Sequence, residues 1–189
     1  MNQATALLDA CVLRPLPLAD MLLRAADGQL FRARWSAEIQ SEWVRSVLRD
    51  RPELDRARLA ARNAAMNRAL PDACISGYED LPESIRLPDV GDRHVLAAAI
   101  HAKADIIVTY NLRDFPASVL DRYEMEAWHP DAFLRHLIDL NPVMVTKIAR
   151  DIMVALTRPA LGMGEFLANL EKLALPETAA VLRELLAEN

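Results

Sequence analysis

Short apolar runs alternate with longer stretches of helical periodicity over roughly the first two thirds of this chain, and helical periodicity alone fills the rest. Thr5-Ala6-Leu7-Leu8 is too brief for a helix and predicts a buried central strand that runs into Asp9. Pro15 and Pro17 break the chain before Leu18–Ala26, where Leu18, Met21, Leu22 and Ala25 recur at helical spacing and Asp27-Gly28 gives the stop. Leu30–Ala33 predicts a second strand. Ser36 then suits the N-cap of a helix over Ala37–Arg49, whose apolar stripe is Ile39, Trp43, Val44 and Val47, with Glu42 on its flank. A further helix is expected from Glu53 to Leu70, stopped by Pro71, and a strand over Cys74–Tyr78.

Pro82 and Pro88 bracket an irregular loop that leads into an Ala-rich buried helix over Asp92–Lys103. A β-branched strand follows at Asp105–Thr109, then a turn or short helix at Pro116–Leu120, a strand near Glu124–Trp128 and a helix from Pro130 to about Leu140. Strands alternating with helices predict an α/β fold of three layers, α/β/α, around a mostly parallel sheet covered on both faces. After Asn141-Pro142 the strands stop. Val143–Thr157, Met163–Leu173 and Pro176–Ala187 are three helical periods parted by Arg158-Pro159 and Pro176, which places an α/β domain over 1–130 and an all-helical extension over 131–189. The apolar faces of that extension (Met144, Ile148, Ile152, Leu156; Phe166, Leu170, Leu173; Val181, Leu182, Leu185) suit core packing, a homodimer surface or a partner helix alike.

Composition narrows this picture. The 189 residues suffice for one domain with an appendage, and 52% apolar content with few aromatics predicts aliphatic packing. Cys11 and Cys74 form no metal-ligand pattern, so they are expected to be buried thiols in a reducing cytoplasm. No apolar run nears the roughly 20 residues of a membrane span, and the first residues do not resemble a signal peptide. The net charge of −5 is unevenly spread, at +3 over residues 1–70 and −8 thereafter. Arg45, Arg49, Arg51, Arg56, Arg58, Arg62 and Arg68 sit on the two helices of the basic part, either to pair with phosphates or as a solvated face.

The carboxylates change the picture most. Asp9 closes one strand, Glu42 rides the next helix, Asp92 opens the Ala-rich helix, and Asp114 follows the Asp105–Thr109 strand. In a parallel α/β sheet, strand ends of this kind form the binding edge. Acids brought together there raise one another's pKa and call for a counter-charge, and hard oxygen donors suit Mg²⁺ or Mn²⁺, which commonly share their shell with substrate phosphate. Phosphodiester chemistry with one or two ions follows from that set. Asp89 fits as a further ligand or a supporting acid, and Thr109 and Asn111 offer hydroxyl and amide groups in the same loop. Each acid also has a local reading: Asp9 as a turn cap, Glu42 as a partner of Arg45 or Arg49, Asp92 as a helix-start acid, Asp114 as a turn former. His94 and His101 read as packing or surface residues. The five glycines form no phosphate loop or dinucleotide fingerprint, and there is no G-x-S-x-G elbow.

Leu7–Leu13, Ser36–Leu48, Asp89–Ile100 and Val108-Thr109-Tyr110-Asn111-Leu112-Arg113-Asp114-Phe115-Pro116 together resemble the PIN-domain ribonucleases, in particular the VapC-like toxins of bacterial toxin–antitoxin pairs. The likeness spans roughly the first 130 residues, and the tail is similar to a C-terminal extension on a subset of these toxins. The resemblance implies an Mg²⁺- or Mn²⁺-dependent endoribonuclease in which Asp9, Glu42 and Asp92 are the first three acids and the Asn111/Asp114 loop is the fourth position. Asn111 stands where many relatives carry Asp, which leaves open whether Asp114 takes over that role or only stabilises the turn; the alternative to a nuclease is a catalytically weak or inactive regulatory module of the same fold that binds RNA or a partner. The resemblance further implies a cognate antitoxin protein. Arg45 and Arg49 are the expected RNA-backbone contacts, and the same site acting on DNA is a third reading.

Overall fold

The computed structural model describes residues 3–82, 85–155 and 162–187. By proximity they form two units, one of residues up to Arg14 with Phe31–His129 and one of Pro15–Leu30 with the residues from Pro130 on.

In the first unit five strands, β1 (Thr5–Leu8), β2 (Arg32–Ser36), β3 (Cys74–Ile75), β4 (Ile106–Val108) and β5 (Glu126–Trp128), form one parallel sheet in the order β3-β2-β1-β4-β5. The chain winds outward from β1 to one side and then to the other, so the order reverses between β1 and β4. At such a switch point the helices leave the strand ends in opposite directions and open a crevice. The helices are α1 (Ala10–Leu13), α3 (Ala37–Asp50), α4 (Arg56–Ala69), α5 (Arg93–His101) and α6 (Ala117–Leu120). This is the expected three-layer α/β/α arrangement, with a fully parallel sheet.

Burial explains the apolar strands. Ala6, Leu7 and Leu8 of β1 and Ile107 and Val108 of β4 are fully buried, as sheet residues covered on both faces must be. Complete burial of one such Leu contributes about 1.5–3 kcal/mol. The fully buried Ala97, Ala98 and Ala99 keep α5 slim where it packs on β1, β2 and β4. Ser36 caps α3 as its sequence predicts, Oγ accepting from the Ile39 N–H at 3.2 Å. On the outer side, the Arg62 guanidinium lies 4.6 Å from the Trp43 ring and donates to the Leu13 and Arg14 carbonyls, which α1 leaves open at its end.

Several boundaries move. The second strand runs two to three residues later than Leu30–Ala33, because the pairing Leu7↔Arg34 sets its register and Trp35 buries completely. The Cys74–Tyr78 strand shrinks to two residues, and the short α1 has no counterpart in the sequence pattern. Cys11 and Cys74 are both free thiols and only half-buried, where full burial is expected.

The second unit is helical: α2 (Leu16–Asp27), α7 (Pro130–Leu140), α8 (Pro142–Ala155), α9 (Met163–Lys172) and α10 (Pro176–Ala187). Its core includes Leu18, Leu22, Phe133, Leu137, Ile152, Phe166, Leu170 and Leu182. Buried Asp131 secures the start of α10, accepting from the Glu177 and Thr178 N–H groups at 3.0 and 2.8 Å and from Thr178 Oγ1 at 2.6 Å. Leu156, Thr157 and the Arg158-Pro159 break lie outside the described residues. No described helix is long and apolar enough to cross a membrane.

Candidate functional site

In-register pairing of Leu8 with Val108 sends the next residues, Asp9 and Thr109, out of adjacent strands at one level. Asp9 is bound on both oxygens: Oδ1 accepts from the Ala10 N–H at 2.6 Å, Oδ2 from Thr109 Oγ1 at 2.6 Å and from Cys11 Sγ at 3.0 Å. The Ala10 bond makes Asp9 the cap of α1 as well as a member of the acidic edge. Thr109 is fully buried, and its hydroxyl in turn accepts from the Asn111 N–H at 3.0 Å, so the loop after β4 is tied to the Asp9 carboxylate. Burial raises the Asp9 pKa; the Thr109 and Cys11 hydrogen bonds oppose this, repulsion from Glu42 adds to it, and the Ala10 N–H opposes it.

Asp92 stands at the N-cap position of α5 but makes no capping hydrogen bond. A carboxylate at a helix start is normally stabilised by the open N–H groups there. Here desolvation leads, followed by repulsion from Asp9, Asp114, Asp89 and Glu42, and the Asp92 pKa is pushed up to about 7. Asp9, Asp114, Asp89 and Glu42 thus each lie within electrostatic reach of Asp92. Asp89 is exposed and accepts from the Gly91 N–H at 2.7 Å, holding the loop before α5. Asn111 is exposed and leads into a 3-10 turn that carries half-buried Asp114. Arg45 and Arg49 are exposed on α3, three and seven residues beyond Glu42 and so on the same side of that helix.

Glu42 pairs with neither arginine. Its Oε2 lies 3.4 Å from His94 Nε2, and both atoms are buried without a hydrogen-bond partner. His94 is buried, as packing predicts, but its ring is aimed at an acid; Nδ1 donates to the Gly91 carbonyl at 2.7 Å. Burial alone would lower the His94 pKa, but the Glu42 carboxylate, the Gly91 carbonyl and Glu38 raise it on balance. Cys11 is the other group the sequence reading overlooks. It donates to Asp9 while accepting from the Tyr110 N–H at 3.3 Å, and burial followed by the Asp9 charge pushes its thiol pKa up, which keeps it protonated. The only signal for either residue is a position two places beyond an acid.

The donors suit a hard divalent cation: the acids are carboxylates, burial and like charge favour a cation among them, and Glu42 Oε2 is a buried oxygen with no hydrogen bond. Among the described residues no three Asp, Glu, His or Cys side chains already stand as ligands around one point, so the fit rests on charge and donor type.

Comparison with known proteins agrees with this architecture. A model of the VapC50 C-terminal domain matches residues 130–184. The Mycobacterium tuberculosis protein named "Putative ribonuclease VapC50" is 42% identical over 89 residues, which are 47% of this chain and 52% of that protein. The match thus spans about half the length of that curated relative. No solved structure matches the chain significantly. The PIN-domain family model matches residues 4–113, the stretch that carries β1 to β4 and the acids Asp9, Glu42, Asp89 and Asp92, and it ends one residue before Asp114; over more than half of its length, this chain belongs to the PIN-domain family.

Proposed function

We propose that this chain is a divalent-metal-dependent endoribonuclease that hydrolyses RNA phosphodiester bonds, and that it is the toxin of a toxin–antitoxin pair. The observation that carries the reading is the crowding of Asp9, Glu42, Asp89 and Asp114 about Asp92, whose carboxyl is pushed up to about 7 first by burial and then by their repulsion. Family membership, and the name of the half-matching relative, direct that chemistry to RNA.

In this reading Asp9, Asp92 and Asp114 hold Mg²⁺ or Mn²⁺, with Glu42 beside them. When bound, the ion lowers the pKa of water and offsets charge at the phosphate. The chain's own groups do the rest. Thr109 and Cys11 fix the plane of the Asp9 carboxylate, so that less ordering remains when ion and substrate enter. Asn111 presents its amide at the exposed rim, where it orients substrate without adding repulsion, and Arg45 and Arg49 meet the flanking phosphates along α3. Cleavage leaves a 5′-phosphate. Residues 1–130 supply the nuclease domain and 131–189 the helical extension, except that Pro15–Leu30 groups with the extension. The partners are RNA and a cognate antitoxin, and the compartment is the cytoplasm.

Labelled RNAs and matched DNAs incubated with the purified chain across a Mn²⁺ titration test this reading. Cleavage of RNA that rises with Mn²⁺ and vanishes in excess EDTA is expected. Cleavage indifferent to EDTA refutes the metal site, and RNA retained without product at every Mn²⁺ concentration favours a binding module.

A further inference from the structure

We propose that the outer face of α4, with Arg58 and Arg68 at its two ends, is a second contact for the RNA phosphate backbone, continuing the line that Arg45 and Arg49 begin on α3. The inference rests on the part of the reading above that makes RNA the ligand, and it does not use the cation. Residues 45–69 hold seven arginines and three acids, a net of +4 in a chain of −5. The structure divides these arginines by task. Arg62 turns inward, over the Trp43 ring and onto the Leu13 and Arg14 carbonyls, and serves the fold. Arg58 and Arg68 are exposed, and neither pairs with a carboxylate among the described residues. The acids nearby are engaged or outside the helix: Asp55 accepts from the Ala57 N–H at 2.8 Å, Asp50 pairs with Arg14, and Glu53 stands in the preceding loop.

Polar groups, not an apolar stripe, hold α4 in place. Met66 is its one buried residue; Asn63 accepts from Trp43 Nε1 at 3.0 Å, and Asn67 from Trp35 Nε1 and Gln40 Nε2 at 2.9 Å each. These bonds turn the opposite side to solvent. There Arg58, Ala61, Ala65 and Arg68 follow one another at steps of three, four and three residues, which keeps them on one face, and all four are exposed. At 1.5 Å per residue the turns that carry the two arginines lie about 15 Å apart, so they meet separate phosphates. The pairings Trp43–Asn63 and Gln40–Asn67 run α4 antiparallel to α3, which brings Arg68 to the end of α3 that holds Glu42. The charged face therefore starts near the acidic site and leads away from it. Its chemistry selects the partner. Guanidinium forks match phosphate oxygens, and alanines between them let a backbone approach closely. A protein partner calls for an apolar or aromatic centre, and the exposed large apolar residues, such as Val90, Leu112 and Tyr123, lie outside α3 and α4.

Fluorescence anisotropy of a labelled single-stranded RNA titrated with the full chain in EDTA, where metal-dependent cleavage is arrested, tests this. R58A combined with R68A is expected to weaken binding about 10-fold and to flatten its log–log salt dependence by about 1.4, two contacts at about 0.7 each. R58K combined with R68K is expected to keep the salt slope, because the charge stays. R122A combined with K172A removes the same charge from exposed positions elsewhere and is expected to leave binding unchanged. Unaltered affinity and slope in the R58A and R68A double variant overturn the inference alone, as does an equal loss in the R122A and K172A control, which marks net charge in place of a face. Displacement of the RNA by polyglutamate as readily as by unlabelled RNA assigns the face to an acidic protein and overturns it too. RNA bound through α4 but not cleaved in Mn²⁺ refutes the nuclease reading and leaves the inference standing. Absence of RNA binding by the unsubstituted chain overturns the inference, and cleavage in Mn²⁺ then judges the nuclease reading separately.

Discussion

Replacing Asp92 by Asn in metal-free protein is expected to stabilise the fold at alkaline pH, the reverse of the usual result for a polar residue at a helix start. The Asp92 pKa rises from 3.8 to about 7, first by desolvation and then by its acidic neighbours. Because the folded value lies above the unfolded one, the folded chain holds the proton between these limits. The contribution to stability is therefore complete below about pH 4 and is lost as pH climbs through about 7. At 1.36 kcal/mol per pH unit the full shift corresponds to ~4 kcal/mol, and the partial exposure of Asp92 halves this to roughly 2 kcal/mol. For a chain of this size that is ~4–8 °C in Tm. Thermal unfolding in EDTA near pH 5 and near pH 8 measures it: D92N should unfold above the unsubstituted chain near pH 8, with a smaller gap near pH 5. A D92N that is less stable near pH 8, or a gap independent of pH, refutes the idea that crowded negative charge strains this site.

Other substitutions probe separate parts of the account. T109V keeps the shape of the side chain but removes the 2.6 Å hydrogen bond to Asp9 and the acceptor for the Asn111 N–H; it should lower Mn²⁺ affinity about 10-fold by calorimetry, and unchanged affinity argues against a role for Thr109 in holding Asp9. R45A combined with R49A should raise KM for RNA and flatten its log–log salt dependence by roughly 1.4 if both meet a single-stranded backbone, while kcat stays the same. D131A leaves the start of α10 uncapped and should cost about 2–3 kcal/mol in urea unfolding, with Mn²⁺ affinity unaffected.

The elements that the sequence predicts best are those whose burial is one-dimensional. β1 and β4 are short apolar runs because both faces are covered, and α3 declares itself by Ser36 and a stripe of Ile39 and Trp43. The acidic edge was legible for a related reason: strand ends precede it, so Asp9 and Thr109 needed only the parallel register to meet. What failed to show depends on spacing across the fold. Four residues of α1 are too few to produce a period, and they persist because Asp9 caps one end and Arg62 closes the other. The pattern of Leu18 and Leu22 predicts a helix but not its neighbours; α2 packs with the C-terminal helices, which no local period encodes. His94 reads as one more buried position in an Ala-rich helix, and only the placement of α3 beside that helix gives its ring a carboxylate to face.

The central claim, that acids far apart in sequence gather about one divalent cation, is tested most directly by anomalous diffraction from a crystal of this chain soaked in Mn²⁺. The account predicts a manganese peak at the carboxyl edge of the sheet with oxygens of Asp9 and Asp92 about 2.0–2.3 Å away, as expected for a hard cation of this size. An edge without manganese at saturating metal, or a peak bound by other residues, contradicts it.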